Sequence, residues 1–499
     1  HRLASDPPRS ALFVMSTLTP RCVMLAGVLA LFVLGCATNP VTGRREFVMM
    51  SEAQEIAMGQ EADAQVREQM GLYDDPELQA YVSEIGHEMA ALSHRPDLPW
   101  SFAVVDSPVV NAFAIPGGYI YLTRGIMAYL GDEADLAGVL GHEIGHVTAR
   151  HSVQAYTRAS GAQLGLVVGS VFSPAARALG GLAESGLGLL FLRYGRDAEL
   201  QSDRLGAEYA VQSGWDPTGV RDMLSTLGRL RGDAEGGIPS WLSTHPEPNV
   251  RVGRIDPVLE ELSQQGSFDT LRVNRAGYLD RLDGLLYGDN PDQGIVRGSE
   301  FLHPVLRFAL RFPEGWDVIN MPTQVVAQQP GEQVYMVLQL VTDPDVGDLE
   351  QLALGNMCES GFAAESGGDT QINGLRAYIG TFTGEGEDGS QARARVAYIL
   401  HGDTIYLLGG LTDASAYNQA ETAFNEAIRS FRPMNASEAE SIRPNRLRFY
   451  TVRQGDTWQS IAQGIGQEIV PPETLAVMNG FPVNEQPRAG DRIKVVQEG

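Results

Sequence analysis

Leu140-Gly141-His142-Glu143-Ile144-Gly145-His146 is the stretch from which the remainder of the chain can be read. His142 and His146 are four residues apart, so on a helix they project from one face one turn apart, and two neutral imidazoles there can grip one metal ion. Glu143 stands on the adjacent edge. With Zn²⁺ held by the imidazoles, its carboxylate is placed to take a proton from a water whose pKa the metal lowers to roughly 7. The plain alternative is a coincidence of residue types on a buried helix. Context favours the site: Asp132 to Arg150 reads as one helix, with Asp132 as N-cap, Asp135 in the first turn, and Leu136, Val139, Leu140 and Val147 as an apolar stripe that would hold the histidines rigid.

At 499 residues, 43% hydrophobic and 20% charged, the chain has room for two to four globular domains. A formal net charge of −25, with no basic run, excludes a nucleic-acid binder, because it repels phosphate backbones. The cysteines are Cys22, Cys36 and Cys358. Cys22 lies inside an export signal and Cys36 at its end, which leaves Cys358 without an internal partner and argues against disulfides or a cysteine metal site.

Residues 1–14 read as carry-over ahead of a better start at Met15. Arg21 supplies a positive n-region, and the apolar run Val23 to Leu34 is too short for a comfortable membrane span. Val33-Leu34-Gly35-Cys36 resembles a bacterial lipobox, which implies cleavage before Cys36 and a lipid tether there instead of a spanning helix; an uncleaved anchor is the alternative. Ala37 after the cysteine looks like an outer-membrane address facing the periplasm.

Two helices follow, Ser51 to Gln69 and Pro76 to about Leu92, then a strand at Trp100 to Asp106. The ribbon Asn111 to Leu122 contains Pro116-Gly117-Gly118 and reads either as an edge strand, whose Ala112, Phe113 and Ala114 could pair with an extended peptide, or as a plain hairpin. The Gly-rich apolar stretch Ser160 to Leu192 splits into halves each shorter than a bilayer span. It is expected to be a helical hairpin that covers the site or touches a membrane surface.

A metal held by two histidines needs a third protein ligand, commonly a carboxylate on a second helix. Arg196 to Ala210, stopped by Gly214, has helix periodicity. Glu199 and Asp203 share its face, so Glu199 could bind the metal while Asp203 holds the ring N–H of a ligand histidine; a solvated acidic face is the competing reading. The His142-Glu143-x-x-His146 helix, the Glu199-x-x-Ser202-Asp203 helix and the Asn111-to-Gly118 ribbon together resemble the HtpX and BepA group of membrane-associated gluzincin peptidases, over roughly residues 45–285. The resemblance implies His142, His146 and Glu199 as zinc ligands, Glu143 as general base and Asp203 as support behind a ligand. Ser202 stands where the group more often has Ala. Ser243-Thr244-His245-Pro246-Glu247-Pro248 with Arg251 also fits the group. His245 could donate to a tetrahedral oxyanion or occupy the open metal position as a latch, and Arg251 could orient it or a substrate carbonyl; a Pro-initiated helix start with a capping histidine accounts for the same residues.

Residues 263–298, with a short helix at Ala276 to Tyr287, read as a connector packed on the peptidase. Beyond it Leu306 to Phe312, Gln333 to Val341, Leu375 to Phe382, Ala392 to His401 and Thr404 to Gly409 alternate as strands, with helices at Leu349 to Glu359 and Ala416 to Ser430. The Phe312-Pro313-Glu314-Gly315-Trp316 start is similar to domains of the PsbP and Mog type. After a Pro/Asn/Ser-rich stretch, Tyr450 to Ala462, Leu475, Asn479-Gly480 and Gly490 to Val496 resemble a LysM module, which implies binding of N-acetylglucosamine polymers such as peptidoglycan, or a docking domain that has lost it.

The expected architecture is multidomain: a signal peptide with lipobox (1–36), a mainly α zincin-type metallopeptidase domain with a small edge sheet (45–285), an α+β domain with an antiparallel sheet (295–433), a linker (434–446) and a βααβ LysM-like domain (447–497). The expected function is a Zn²⁺-dependent endopeptidase, lipid-tethered through Cys36 at the periplasmic face of the outer membrane and cleaving misassembled envelope proteins. The alternatives are a peptidoglycan-associated scaffold or chaperone-like lipoprotein with a latched or inactive site, and a cell-wall peptide hydrolase.

Overall fold

A computed structural model of the chain describes residues 36–48, 50–157, 194–230, 241–321, 323–341, 347–385, 391–465 and 469–499. The apolar run Val23 to Leu34, lipobox residues Val33 to Gly35 and the Gly-rich stretch 160–192 lie outside these residues. Among the described residues, no helix is long and apolar enough to cross a membrane.

The first unit is mostly helical. A two-stranded hairpin, β1 (Cys36–Thr38) with β2 (Arg45–Phe47), precedes α1 (Glu52–Met70), which is started by a Ser51–Gln54 capping box. Helix α2 (Pro76–Ala90) begins as expected on Asp75, whose side chain accepts from Leu78 N. Strands β3 (Ser101–Val105), β4 (Ala112–Ile115) and β5 (Tyr119–Thr123) form a small sheet in the order β3-β5-β4. The Asn111 ribbon therefore satisfies both sequence readings: β4 and β5 are an antiparallel hairpin turning at Gly117 and Gly118, and β4 is the sheet's edge.

Helix α3 (Glu133–Thr148) is capped by Asp132, which accepts from Asp135 N, and is buried along its whole length. Then come α4 (Arg196–Gln212), α5 (Thr218–Leu227), the one-turn α6 (Trp241–Thr244), α7 (Pro248–Ser263) and α8 (Arg275–Arg281). Here the expected helix Ala276 to Tyr287 is corrected. It ends at Arg281, and Leu286–Tyr287 forms a short strand, β6.

The second unit is the expected α+β domain. Strands β7 (Ile295–Arg297), β8 (Glu300–His303) and β9 (Phe308–Arg311) form one antiparallel sheet. The larger sheet has seven strands, β10 (Asp317–Met321), β11 (Gln324–Gln328), β12 (Val334–Leu340), β13 (Phe362–Ile372), β14 (Leu375–Glu385), β15 (Gln391–His401) and β16 (Thr404–Asp413), in the order β10-β11-β12-β16-β15-β14-β13. Helices α9 (Leu349–Glu359) and α10 (Tyr417–Ser430) pack on it.

Residues 434–446, expected as a linker, carry a short helix, Ala436–Glu440, and Met434, Ala439 and Ile442 are buried with Ile295, Leu302 and Ala309. The C-terminal segment has the βααβ order: β18 (Asn445–Thr451), α11 (Trp458–Gly464), α12 (Pro472–Met478) and β19 (Arg492–Glu498), after the two-residue β17 (Arg432–Pro433). It is sewn into the first unit. Strand β18 pairs with β6, Leu447, Trp458 and Val496 share one apolar core with Leu285 and the α3 residues, and Lys494 Nζ donates to Leu130 O at 2.6 Å.

Candidate metal centre

The site exists because α3 and α4 touch backbone to backbone. A Cβ on Gly145 would stand 3.0 Å from Ser202 Cα, and one on Gly206 would meet His142 N at 2.9 Å. Only glycine permits that approach. It brings Glu199 and Asp203, more than fifty residues away in sequence, onto the histidine face of α3.

The nitrogens His142 Nε2 and His146 Nε2 are 3.0 Å apart, and Glu199 carboxylate oxygens lie 3.7 Å from the first and 3.6 Å from the second. His245 Nδ1 lies 3.3 Å from His142 Nε2 and 3.1 Å from Glu199 Oε1. One ligand atom from each of these four side chains falls within 4.8 Å of every other, and all four residues are buried. Burial, with the neighbouring His142, holds His146 well below the usual imidazole range, so it is neutral, the form that ligates. Burial pushes Glu199 up, but His245 and Arg251 outweigh it and the carboxyl is net lowered, hence ionised.

Behind the donors lies an ordered frame. His142 Nδ1–H donates to Asp203 Oδ1 at 2.9 Å, which leaves Nε2 with its lone pair facing the cluster. Arg251 clamps the carboxylates, with Nε to Asp203 Oδ2 at 2.8 Å, Nη2 to Asp203 Oδ1 at 2.6 Å and Nη1 to Glu199 Oε2 at 2.5 Å. Burial opposes the ionised form of Asp203, yet Arg251 and His142 together hold it well below the carboxylate range. Its guanidinium meets His245 through two intermediaries: Glu199, whose Oε2 also lies 3.3 Å from His245 Nδ1, and Trp241, whose indole lies 4.9 Å from the guanidinium and stacks on the imidazole at 4.8 Å.

Each sequence-named residue has a place. His142, Glu143 and His146 come from α3, Glu199 and Asp203 from α4, His245 follows α6, and Arg251 is on α7. Ala112, Phe113 and Ala114 form β4, which packs against α3. The pairing of Asn111 with Thr123 leaves the backbone groups of Val110, Ala112 and Ala114 facing away from β5. Cys36 opens β1, and Asn39, three residues on and buried, donates to Ala149 O at 3.1 Å, at the end of α3.

Two residues that close the site were missed. Trp241 N donates to Val110 O at 3.0 Å, and the Tyr194 ring lies 3.9 Å from His146 with its hydroxyl 2.9 Å from Ser152 Oγ. Their only sequence signal was being aromatic next to expected site helices.

The donor set fits a divalent metal by its chemistry: two buried imidazole nitrogens and a buried ionised carboxylate converge, the N, N, O set of a hydrolytic zinc site. A second observation agrees. Neither oxygen of the fully buried Glu143 has a hydrogen-bond partner among the described residues, His245 Nε2 standing 3.6 Å away. A buried orphan carboxylate is costly unless it serves chemistry. Burial raises its pKa, which makes it a stronger base than a solvated glutamate.

Such a cluster on two crossed helices, with a free glutamate between the histidines, defines a metallopeptidase. The family of that part follows from comparison: residues 76–258 match Peptidase family M48, so this stretch is an M48 metallopeptidase domain, whose metal is zinc. The chain is a metalloendopeptidase. It is 27% identical over 365 residues to the beta-barrel assembly-enhancing protease of Yersinia pestis, covering 68% of this chain and 73% of that one. It is also 31% identical over 231 residues to the mitochondrial metalloendopeptidase OMA1 of Schizosaccharomyces pombe, covering 44% and 66%. Among solved structures it is similar to cyanobacterial PsbP from Synechocystis sp. PCC 6803, at 13% identity and a TM-score of 0.24, covering 28% of this chain and 95% of that one.

Proposed function

We propose that His142, His146 and Glu199 hold Zn²⁺, that Glu143 is the general base, and that the enzyme hydrolyses misassembled proteins in the bacterial cell envelope. The observation that carries this reading is the convergence of those three donors beside the partnerless Glu143 carboxylate. Zinc, when bound, supplies Lewis acidity toward water and the scissile carbonyl. Glu143 takes the proton from the attacking water and passes it to the leaving amine. Asp203 fixes the His142 tautomer, and Arg251 holds the buried Glu199 and Asp203 ionised. An extended substrate pairs with Ala112 and Ala114 along the edge of β4 that faces away from β5, which is buried in the closed form, while Phe113 keeps the strand seated in its own core. Replacing Glu143 by Gln should abolish cleavage of an unfolded protein while leaving bound zinc near one per chain, and Glu199→Ala should remove the metal. Zinc-free wild-type protein would sink the reading.

The envelope location rests on two supports, the beta-barrel assembly-enhancing proteases among the relatives and the lipobox-like Val33-Leu34-Gly35-Cys36. If Cys36 carries lipid, the tether has no slack, because Asn39 is bonded to the end of α3 and Glu46 to Gln154 at 2.7 Å. The metal centre then works close to the bilayer surface. Labelled fatty acid should be incorporated by wild type and not by Cys36→Ser. The LysM-like segment adds affinity for peptidoglycan, tested by sedimentation with purified sacculi.

A latched scaffold is the second reading, and one observation favours it. His245 Nδ1 stands among the ligand atoms, 3.3 Å from His142 Nε2 and 3.1 Å from Glu199 Oε1, so it could serve as a fourth donor, with Trp241 and Tyr194 closed around it. We therefore read the closed form as a resting state that opens by displacing α6 and His245. His245→Ala should raise basal proteolysis; if it is silent and Glu143→Gln has no effect in cells, the scaffold reading prevails.

A further inference from the structure

The two ligand histidines are held from behind in different ways. His142 donates to a carboxylate. His146 Nδ1 faces another imidazole instead, that of His151, at 3.1 Å and with the rings inclined at 75°. His151 is 3% exposed. Its other nitrogen, Nε2, lies 3.0 Å from the side-chain oxygen of Gln201 on α4. An amide oxygen can only accept, so His151 carries its proton on Nε2, and its Nδ1 is the acceptor. The hydrogen between the two Nδ1 atoms is then on His146, whose Nε2 is left with a bare lone pair pointing at His142 Nε2 and Glu199. Ser202 Oγ, 3.2 Å from the same His151 nitrogen, adds a second donor that fixes the ring.

The backbone is shaped for this contact. On an uninterrupted helix a residue five positions on lies about 140° around the axis, so His151 would point away from His146. The helix breaks at Arg150, whose φ of 60° is left-handed and is held by Arg150 Nε to Glu55 Oε2 at 3.0 Å and Nη2 to Met50 O at 3.1 Å. Residues 151–157 start a new helix that turns His151 back toward the metal face.

We propose that His151 is a positioning residue for the metal site: with Gln201 and Ser202 it forms a neutral relay that sets the tautomer and orientation of His146. This rests on the reading of His146 as a zinc ligand. Ser202, the residue at which the chain departs from the pattern it resembles, belongs to that relay.

The test is zinc affinity of the full-length protein, measured by competition with a chromogenic chelator, with the visible spectrum of the Co²⁺-substituted form as second readout. His151→Leu removes the acceptor and should weaken zinc binding about 10- to 100-fold and shift the Co²⁺ bands. His151→Asn places an amide oxygen where Nδ1 stands and should restore affinity to within about threefold. Gln201→Leu, which leaves the core unaltered, should give an intermediate loss and keeps the test open if His151→Leu fails to fold. In ¹⁵N-histidine spectra of the wild type, with nine histidines in the chain, His146 should carry its proton on Nδ1 and His151 on Nε2. Wild-type affinity and Co²⁺ spectrum in both Leu variants, or the opposite tautomers, would overturn the relay. If His146→Ala also bound zinc like wild type, the ligand assignment itself would be the part that failed.

Discussion

Arg251→Met asks whether the clamp behind the metal centre stabilises the protein or balances the metal. The guanidinium is 2% exposed and faces two carboxylates at 2.5 and 2.6 Å. Removing one member of a buried ion pair strands the other and costs about 3–5 kcal/mol. His245, already raised by Glu199 and Glu143 against the lowering effect of burial, can take up part of the Glu199 charge, so the lower end of that range applies to the zinc-free protein. With zinc present, the cation neutralises Glu199 and only Asp203 is stranded, so about half the cost should disappear. At roughly 2–4 °C per kcal/mol, the zinc-free variant should melt about 6–12 °C below wild type, and saturating zinc should recover about half of that. By linkage the variant then gains more from zinc than wild type does. Calorimetric melts of both proteins, stripped and loaded, decide the matter. A loss under about 2 °C, or an equal loss in both forms, would refute the reasoning that Arg251 and the metal share one carboxylate.

Three further outcomes follow from the packing. Gly206→Ala should cost about 1–3 kcal/mol by overpacking despite alanine's better helix propensity, and should weaken zinc binding, because the new Cβ meets His142 N at 2.9 Å and backbone cannot yield; melting temperature and chelator competition would show it. Lys494, pulled by burial from 10.5 down to about 7, binds a proton more readily unfolded than folded across that interval. Stability should therefore rise between about pH 7 and pH 10.5, by up to about 5 kcal/mol, and urea denaturation of Lys494→Met should lack that rise. A chain ending at residue 444 uncovers Leu285 and Leu286 and removes Leu447 and Val496 from the shared core; it should be insoluble or protease-sensitive, whereas an unchanged melt of the peptidase unit would show the C-terminal segment to be separable.

Much of the centre was legible because it rests on local rules. Asp132 as a cap, the apolar stripe of α3 and the four-residue spacings of His142/His146 and Glu199/Asp203 are properties of single helices, and the bounds Leu349 to Glu359 emerged for the same reason. What remained hidden depends on pairs distant in sequence. Nothing in the period of Gly141, Gly145 and Gly206 says which helix they admit, and nothing near Arg251 says which acid it meets. Strand β13 escaped notice because Gly367, Gly368 and Asp369 lie at an exposed edge with no alternation to betray it. Leu286–Tyr287 read as helix because a two-residue strand carries no period, and its partner, Asn445–Arg446, stands about 160 residues later.

The bond from Lys494 to Leu130 spans 364 residues and ends two positions before the cap of α3. Order of synthesis therefore runs against order of need: the helix bearing the histidines is made early, Val273 and Arg275 hold its start about 140 residues later, and the turn leading into it receives this further brace when β19 arrives. A ribosome carrying a half-made copy holds a polypeptide whose cutting edge still lacks this brace, and a copy lost to premature termination never gains it.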